Sequence, residues 1–332
     1  MQQPDLQTGF SIASVAIRNR VVLAPMSGVT DLPFRQLAFR HGAGLVVTEM
    51  VASRELVFNA AESWSRLKGA GLTPHMVQLA GRDPHWMAEA AKIAEANGAD
   101  IIDINMGCPA KKVIGGYAGS ALMREPEIAL SMIEATVKAV SIPVTVKMRL
   151  GWDSDSINAP DLSRRAQDAG VQAITVHGRT RMQFYEGRAD WDAIAAVRDA
   201  ISIPLIANGD IDTLGDAQEI LRRSGADAIM LGRACQGRPW HAGVLAGHAP
   251  PSADEIPAIA VAHYRAMLDH YGAHVGVRHA RKHVGWYLER HGVQLDPAEK
   301  TALMTSKDPD HVADRLFAAL AGAAPNPLEE AA

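Results

Sequence analysis

Short apolar segments, many of them β-branched, recur through the first two thirds of the chain and alternate with segments of helical periodicity. There are eight of them, at residues 21–26, 44–50, 75–81, 100–107, 143–151, 173–180, 204–211 and 227–233. Continuous apolar runs of this length are typical of strands buried on both faces. The alternation predicts an α/β fold, a (β/α)8 TIM barrel. A doubly wound open sheet is the alternative, but no GxGxxG follows the first strand.

The helical segments between these strands carry their own boundary signals. Asp83 and Pro84 are suited to the cap and first turn of a helix that covers 84–99 and ends near Gly98. The pattern changes after Trp240. Residues 247–257 are rich in Pro, Gly and small polar residues and predict a linker, and 258–322 show helical periodicity alone. We therefore expect a barrel over 1–246, a small all-helical C-terminal domain, and a disordered tail at 323–332.

Composition and charge limit the functions that this fold could serve. The chain has 332 residues, of which 48% are hydrophobic and 21% charged, as in ordinary globular proteins. It has neither a long apolar run nor a signal-peptide pattern, and its two cysteines, Cys108 and Cys235, give no reason to expect a disulfide. We expect a cytoplasmic protein with no membrane partner and no metal site. The net charge of -4 means that any nucleic-acid site must come from local clustering.

Polar residues occur at the carboxyl ends of the predicted strands, where a barrel of this kind has its active site. Buried polar groups are costly unless they are paired or bind a ligand, so a shared ligand is the simplest explanation. The last two ends are glycine-rich, and Gly209 and Gly232 with Arg233 could hold a phosphate. The alternative is that these glycines only form tight turns.

Three side chains near these ends suggest chemistry. Cys108 follows the fourth strand, and Pro109 places it at the barrel mouth, where a thiol can act as a nucleophile or proton donor. A buried structural thiol is the alternative, and we prefer that interpretation for Cys235. Lys147 could form a Schiff base or pair with an anionic cofactor ring. His177 could be a ligand, a base or a core histidine.

Basic residues cluster in one helix of the C-terminal domain. Arg278, Arg281 and Lys282 share a face by helical spacing, and nearby aromatic residues could stack on bases. A solvated face over an aromatic core is the alternative. Lys111 and Lys112 add positive charge at the barrel mouth.

Taken together, these motifs resemble the tRNA-dihydrouridine synthase family, and within it the DusB-like group. The matching strings cover nearly the whole chain and include APMSGVTDLPFR (24–35), VQLAGRDP (77–84), DINMGCPAKKV (103–113), AGSALM (118–123), PVTVKMRLGW (143–152), VHGRTRMQFYEGRADW (176–191), ANGDI (207–211), GADAIMLGRACQGRPW (225–240) and RKHVGWY (281–287).

The resemblance implies an FMN-binding catalytic barrel and a helical domain that binds tRNA, in a protein that we expect to be a monomer. NADPH, or NADH in its place, would reduce FMN. Hydride would then pass to C6 of a D-loop uridine, while Cys108 gives a proton to C5. The implied FMN contacts are Ala24, Pro25, Met26, Gln78, Lys147, His177, Asn208, Gly209, Asp210, Gly232 and Arg233. We expect the uridine at Asn105, Arg149 and Arg179, and tRNA at Lys111, Lys112, Arg278, Arg281 and Lys282.

Three other functions compete with this one. A flavin enzyme for a small molecule, in the manner of dihydroorotate dehydrogenases, would not need the basic helical domain. A Schiff-base aldolase would use Lys147 without flavin. A non-enzymatic RNA-binding protein would leave the polar strand ends unexplained.

Overall fold

Eight parallel segments form a barrel, as the apolar pattern predicts, in a computed structural model that describes residues 5–110, 113 and 118–322. The strands are β1 (Phe10–Ile12), β2 (Val15–Ile17), β3 (Val21–Leu23), β4 (Leu45–Val46), β5 (Val51–Ala52), β6 (Met76–Ala80), β7 (Ile101–Met106), β8 (Val144–Arg149), β9 (Ala173–His177), β10 (Leu205–Asn208) and β11 (Ala228–Leu231). All eight predicted barrel strands are present. The predicted tail, 323–332, lies outside the described residues.

The second barrel strand is interrupted, and this interruption is where the sheet closes. β4 pairs with β3 and β5 pairs with β6, both in parallel. Between them Val47 bridges Met76, and the backbone N–H of Thr48 donates to the Met76 carbonyl at 3.1 Å. The strand order β4-β3-β11-β10-β9-β8-β7-β6-β5 therefore runs around a closed barrel.

Helices cover the outside of the barrel and build the C-terminal domain. They are α1 (Leu32–Arg40), α2 (Ser53–Val57), α3 (Ala61–Leu67), α4 (Pro84–Ala96), α5 (Pro126–Ala139), α6 (Ala159–Asp168), α7 (Trp191–Ala200), α8 (Leu214–Ser224), α9 (His241–Leu245), α10 (Ile256–Tyr271), α11 (Ala273–Arg290), α12 (Pro297–Thr305) and α13 (Pro309–Ala321). The Asp83 carboxylate caps α4 by accepting from the backbone N–H of His85 at 2.8 Å, which confirms the predicted helix start.

Side chains of the barrel strands alternate between two environments. On β8, Val144, Val146 and Met148 join the outer core between sheet and helices. The intervening residues, Thr145 and Lys147, face the barrel interior, where they hydrogen-bond side chains of other strands. A strand that is apolar outside and polar inside explains why β8 appears in the sequence as an apolar run with polar interruptions.

An antiparallel hairpin that the apolar pattern did not predict closes the amino-terminal end of the barrel. β1 pairs with β2 through a turn at Ala13, which has φ 50°. Ile12 and Ile17 are fully buried and pack with barrel-interior residues such as Ile101 and Ile206. The hairpin strands are three residues long, so their alternation is too short to stand out in the sequence.

The C-terminal helices have their own core and dock on the barrel. Tyr264, Tyr287 and Leu316 are among the buried residues of this core. The ring of Phe34, in α1 of the barrel, lies 5.6 Å from the ring of His263 and 5.7 Å from that of His283. Within the described residues, no helix combines the length and apolar character that a membrane span requires.

Candidate active site

A large cavity opens where the barrel strands end at their carboxyl termini. Its volume is about 1440 Å³, beyond the roughly 300–1,000 Å³ of a typical small-molecule site, so it can hold more than one ligand. Thirteen of the predicted site residues line it: Ala24, Pro25, Met26, Asn105, Cys108, Lys147, Arg149, His177, Asn208, Gly209, Asp210, Gly232 and Arg233.

Lys147 brings a positive charge to the cavity. Its Nζ donates to the Asn208 amide oxygen at 3.1 Å, and the Asn208 Nδ2 donates in turn to the Met230 carbonyl at 2.7 Å. Burial, together with the nearby Arg149 guanidinium, lowers the pKa of Lys147 to about 8, although Asp103 opposes this shift. Among the described residues no carboxylate lies within 4.0 Å of this ammonium, so an anionic ligand group in the cavity would stabilise it.

His177 is held neutral beside this charge. Burial lowers its pKa well below the ordinary 6.5, and the surrounding cations Lys147, Arg149, Arg179 and Arg233 lower it further. The Arg179 Nη1 lies 3.3 Å from His177 Nε2. Because a guanidinium can only donate, Nε2 accepts and the ring proton is on Nδ1. His177 therefore offers a hydrogen-bond donor and no charge.

Gly209 and Arg233 form another part of the cavity wall. Gly209 has φ 125°, and a Cβ there would lie 2.7 Å from the Ala189 Cβ, so no side chain fits. Arg233 donates to Asp210 at 3.3 Å and keeps 55% of its side chain exposed. Free backbone space with an exposed guanidinium suits a phosphate group.

Cys108 lies in a loop that other residues hold at both ends. Its backbone N–H donates to the Asn105 amide oxygen at 3.1 Å, and its carbonyl accepts from the Ser120 hydroxyl at 2.9 Å. Burial raises the pKa of the Cys108 thiol, although the Ala110 backbone and the Arg149 and Lys147 charges oppose the shift. The thiol is therefore protonated at neutral pH and can serve as a proton donor.

Comparison with known proteins decides which family these features belong to. The model of the family described as "Dihydrouridine synthase (Dus)" matches residues 22–321. This chain belongs to the dihydrouridine synthase family. It is 74% identical to a "Probable tRNA-dihydrouridine synthase" of Rhizobium leguminosarum bv. phaseoli, over 92% of this chain and 96% of the relative. It is 46% identical to "tRNA-dihydrouridine synthase B" of Vibrio vulnificus, over 85% of this chain and 90% of the relative.

A solved structure supports the fold independently. The chain resembles morphinone reductase with a TM-score of 0.56 and 15% sequence identity, over 78% of this chain and 93% of that one. At this identity the likeness concerns the barrel fold alone. The resemblance drawn from the motifs is confirmed by the family match, and the dihydrouridine synthases are flavin-dependent oxidoreductases.

Two of the predicted ligand contacts, Gln78 and Arg179, do not line the cavity. The Gln78 amide is fully buried between Asp103 and Asn105. Arg179 is also buried, and its guanidinium donates to both Asp210 carboxylate oxygens, at 2.9 and 2.6 Å, and to two loop carbonyls. Arg179 therefore supports the wall from behind and keeps Asp210 ionised against its partial burial, so that the pKa of Asp210 stays below 3.8.

The three basic residues of α11 that were predicted to share a face differ in exposure and in contacts. Arg278 is exposed. Arg281 is half-buried and donates to the Thr305 carbonyl at 3.3 Å. Lys282 points to the barrel, where a Cβ at Gly28 would lie 2.9 Å from its Nζ. Docking of α11 between α12 and the barrel divides the three side chains; Lys111 and Lys112 lie outside the described residues.

The structure also brings unpredicted aromatic residues to the cavity, among them Tyr185. Tyr185 lines it with 54% of its surface exposed. The guanidinium carbons of Arg149 and Arg233 lie 5.6 and 5.2 Å from the centre of its ring. Tyr185 sits in the long loop after β9, where no periodicity marks it, and its place in the VHGRTRMQFYEGRADW string is the one signal in the sequence that could have found it.

Proposed function

We propose that the protein is an FMN-dependent tRNA-dihydrouridine synthase that reduces a D-loop uridine to 5,6-dihydrouridine, with NADPH as the reductant and NADH as the alternative. The observation that carries this proposal is the pairing of a protonated thiol, Cys108, and a buried ammonium, Lys147, in one cavity with room for two ligands. In this proposal residues 1–246 form the catalytic barrel, 247–257 the linker and 258–322 the tRNA-binding domain.

The residues at the cavity fit FMN. Among the described residues, the Lys147 ammonium donates one hydrogen bond, to Asn208, and it suits an anionic ring. Arg233 and the Gly209 and Gly232 backbone suit the phosphate. Ala24, Pro25 and Met26 supply an apolar wall in the loop that follows β3. When bound, FMN would supply the hydride for C6 of the uracil.

Cys108 supplies the proton in this scheme. Hydride addition at C6 leaves C5 in need of a proton from a separate acid. A thiol whose pKa is raised by burial keeps its proton at neutral pH until the base is in place. Arg149 uses its Nε and Nη1 on the carbonyls of Gly107, Thr180 and Phe184, which fixes the guanidinium beside the same loop, and Asn105 lines the cavity next to it.

The tRNA substrate explains the size and openness of the cavity. A uridine must leave its stack to reach a barrel mouth, and the enzyme must hold the surrounding RNA while it does so. The exposed Arg278 and the Lys282 ammonium beside Gly28 offer charge at the junction of the two regions. We propose that the protein works as a cytoplasmic monomer, with both cysteines free.

The test is reconstitution with the natural substrate. The purified protein should be yellow and release FMN on denaturation. With NADPH and tRNA from a strain that lacks this gene, it should form dihydrouridine at positions that sequencing of the modified tRNA identifies. A colourless protein that cannot be reconstituted with FMN contradicts the cofactor. A yellow enzyme that leaves tRNA unchanged but reduces a small pyrimidine would favour the dihydroorotate dehydrogenase type of function.

A further inference from the structure

A continuous row of hydrogen bonds runs through the barrel interior and ends at the Cys108 loop. The Asp103 carboxylate accepts from the Thr145 hydroxyl and from the Gln78 Nε2, both at 2.6 Å. The Gln78 amide oxygen accepts from the Asn105 Nδ2 at 2.7 Å. The Asn105 amide oxygen then accepts from the backbone N–H groups of Gly107 and Cys108, at 3.2 and 3.1 Å.

Both ends of this row require the same orientation of its two amides. At the loop end, backbone N–H groups can only donate, so Asn105 must present its oxygen to them and its Nδ2 to Gln78. Gln78 must then present its oxygen to Asn105 and its Nε2 to the next group. At the other end a carboxylate oxygen is an acceptor, and Asp103 provides one. If the two amides were reversed, the Asn105 Nδ2 would face the backbone N–H groups of Gly107 and Cys108, and donors would oppose donors.

The Asp103 carboxyl is far from water and belongs to no ion pair of the described residues. It is 1% exposed, and its surroundings are the Gln78 and Thr145 donors and, at longer range, Lys147. Burial raises the pKa of Asp103, and these three groups oppose the shift. If the carboxyl carries a proton on the oxygen next to Thr145, the other oxygen still accepts from Gln78. The orientation of the row is therefore the same in both protonation states.

We propose that Asp103 is a positioning residue, which acts through Gln78 and Asn105 to hold the backbone of Cys108, and so its thiol, at the place where the substrate base is protonated. The inference rests on the proposed function of Cys108. Buried polar groups that are fully satisfied give a site a single arrangement, and a displacement of about 1 Å can cost roughly 10²-fold in rate. Asp103 itself is not among the described residues that line the cavity.

The decisive variants exchange the amide and the carboxyl group of the hydrogen bond between Gln78 and Asp103. Asp103→Asn leaves one acceptor oxygen and adds an amide donor, so either group can face Gln78 and the reversed row becomes possible. Gln78→Glu removes the Nε2 donor, so that two carboxyl groups face each other at 2.6 Å and must share a proton or move apart. In the double variant, the new amide at position 103 would donate to the new carboxylate at position 78. That carboxylate would still accept from Asn105, so the orientation at the loop is restored. Ser163→Ala, which removes a buried hydroxyl that contacts Met148 on the outer face of β8, is the matched control.

Two readouts are compared in a Cys235→Ser background. The first is reoxidation of the reduced flavin by tRNA in an anaerobic stopped-flow measurement, with FMN content and NADPH oxidation as references. The second is the pH dependence of Cys108 alkylation by iodoacetamide, which needs no turnover. Asp103→Asn should slow reoxidation by about 10- to 100-fold and change the alkylation profile, with FMN content unchanged. The double variant should recover both, and Ser163→Ala should change neither.

Wild-type reoxidation and alkylation in Asp103→Asn would overturn the proposal, as would a double variant no better than the poorer single one. If Asp103→Asn does not fold, Thr145→Val removes one donor to the same carboxylate and should change both readouts in the same direction by less. A Cys108→Ala enzyme that reoxidises normally would refute the acid role in the proposed function. The alkylation comparison would still decide whether Asp103 positions the loop.

Discussion

The two ends of the barrel interior differ in what they contribute to the protein. At the amino-terminal end the inward side chains are apolar, and the hairpin seals them with Ile12 and Ile17. At the carboxyl-terminal end they are lysine, arginine, histidine and asparagine around a cavity of about 1440 Å³. The first end buries apolar surface and stabilises the fold, whereas the second keeps charges that are costly to bury and are useful only with ligands.

The change from one end to the other takes place within single strands. Along β9 the inward-facing residues are Ala173, Thr175 and His177, and along β10 they are Ile206 and Asn208. A single short strand thus leads from packing to chemistry. Substitutions at the two ends should therefore separate stability from activity, and the following experiments test that separation.

Cys108→Ala, at the polar end, should have the largest effect. General-acid catalysis is worth roughly 10²–10⁴ in rate, so reoxidation of the reduced flavin by tRNA should fall by about that factor. FMN content, NADPH oxidation and the free energy of unfolding should stay near wild type. Stopped-flow absorbance of the flavin under anaerobic conditions measures the loss.

Cys235→Ala is the matched control for this experiment. Cys235 is fully buried in the outer core, and burial raises its pKa to about 12. The reduced flavin of the Cys235→Ala enzyme should be reoxidised by tRNA at the wild-type rate. Should both cysteine variants behave alike, the proton does not come from the Cys108 thiol.

Ile17→Ala tests the apolar end. Truncation of a fully buried isoleucine typically costs about 2–5 kcal/mol, so the free energy of unfolding in urea should fall by that amount. Flavin content and turnover of the folded fraction should be unchanged at room temperature. A loss of turnover without a loss of stability would mean that the two ends are coupled.

Lys147→Met should have the opposite effect to Ile17→Ala: the free energy of unfolding should rise, and cofactor binding should weaken. Burial lowers the folded-state pKa of Lys147 to about 8 from 10.5, so the unfolded chain binds more protons between these pH values. The stability of the wild-type apoprotein should therefore rise from about pH 8 to 10.5, and the cost of burial is complete below about pH 8.

Removal of this charge should stabilise the apoprotein at neutral pH by on the order of 1–3 kcal/mol and abolish that rise. It should also weaken FMN binding, which titration of the apoprotein by flavin fluorescence measures. Lys147→Arg is the control that keeps a charge. Equal FMN affinity in the Met variant would place the cofactor away from Lys147.

Arg278→Ala, outside the barrel interior, should have the smallest effect. Removal of one exposed cation that binds a phosphate should weaken tRNA binding a few-fold. It should also reduce the slope of log affinity against log salt concentration by about one. Arg281→Ala should instead lower stability, since its guanidinium bonds Thr305 inside the helical domain. Filter binding across a salt series separates the two. A larger drop in tRNA affinity in Arg281→Ala would reverse this assignment.

The sequence by itself determined the barrel and most of its mouth. Continuous apolar runs of this length, repeated between helical segments, are explained by strands buried on both faces, and the polar residues that end them meet at one edge because parallel strands end together. This is why Cys108, Lys147, Asn208 and Arg233 could be assigned to one site from the sequence. The family match covers the barrel and also the C-terminal helices, over residues 22–321.

Tertiary structure alone decided which polar side chains line the cavity and which support them from behind. Gln78 and Arg179 have the same strand-end sequence context as Asn105 and Arg149, but their partners, Asp103 and Asp210, come from other strands or loops. In the same way, the docking of α11 separates basic residues that share a helical face in the sequence. A hydrogen bond between strands depends on register and side-chain direction around a closed barrel, and periodicity along one chain segment does not contain either.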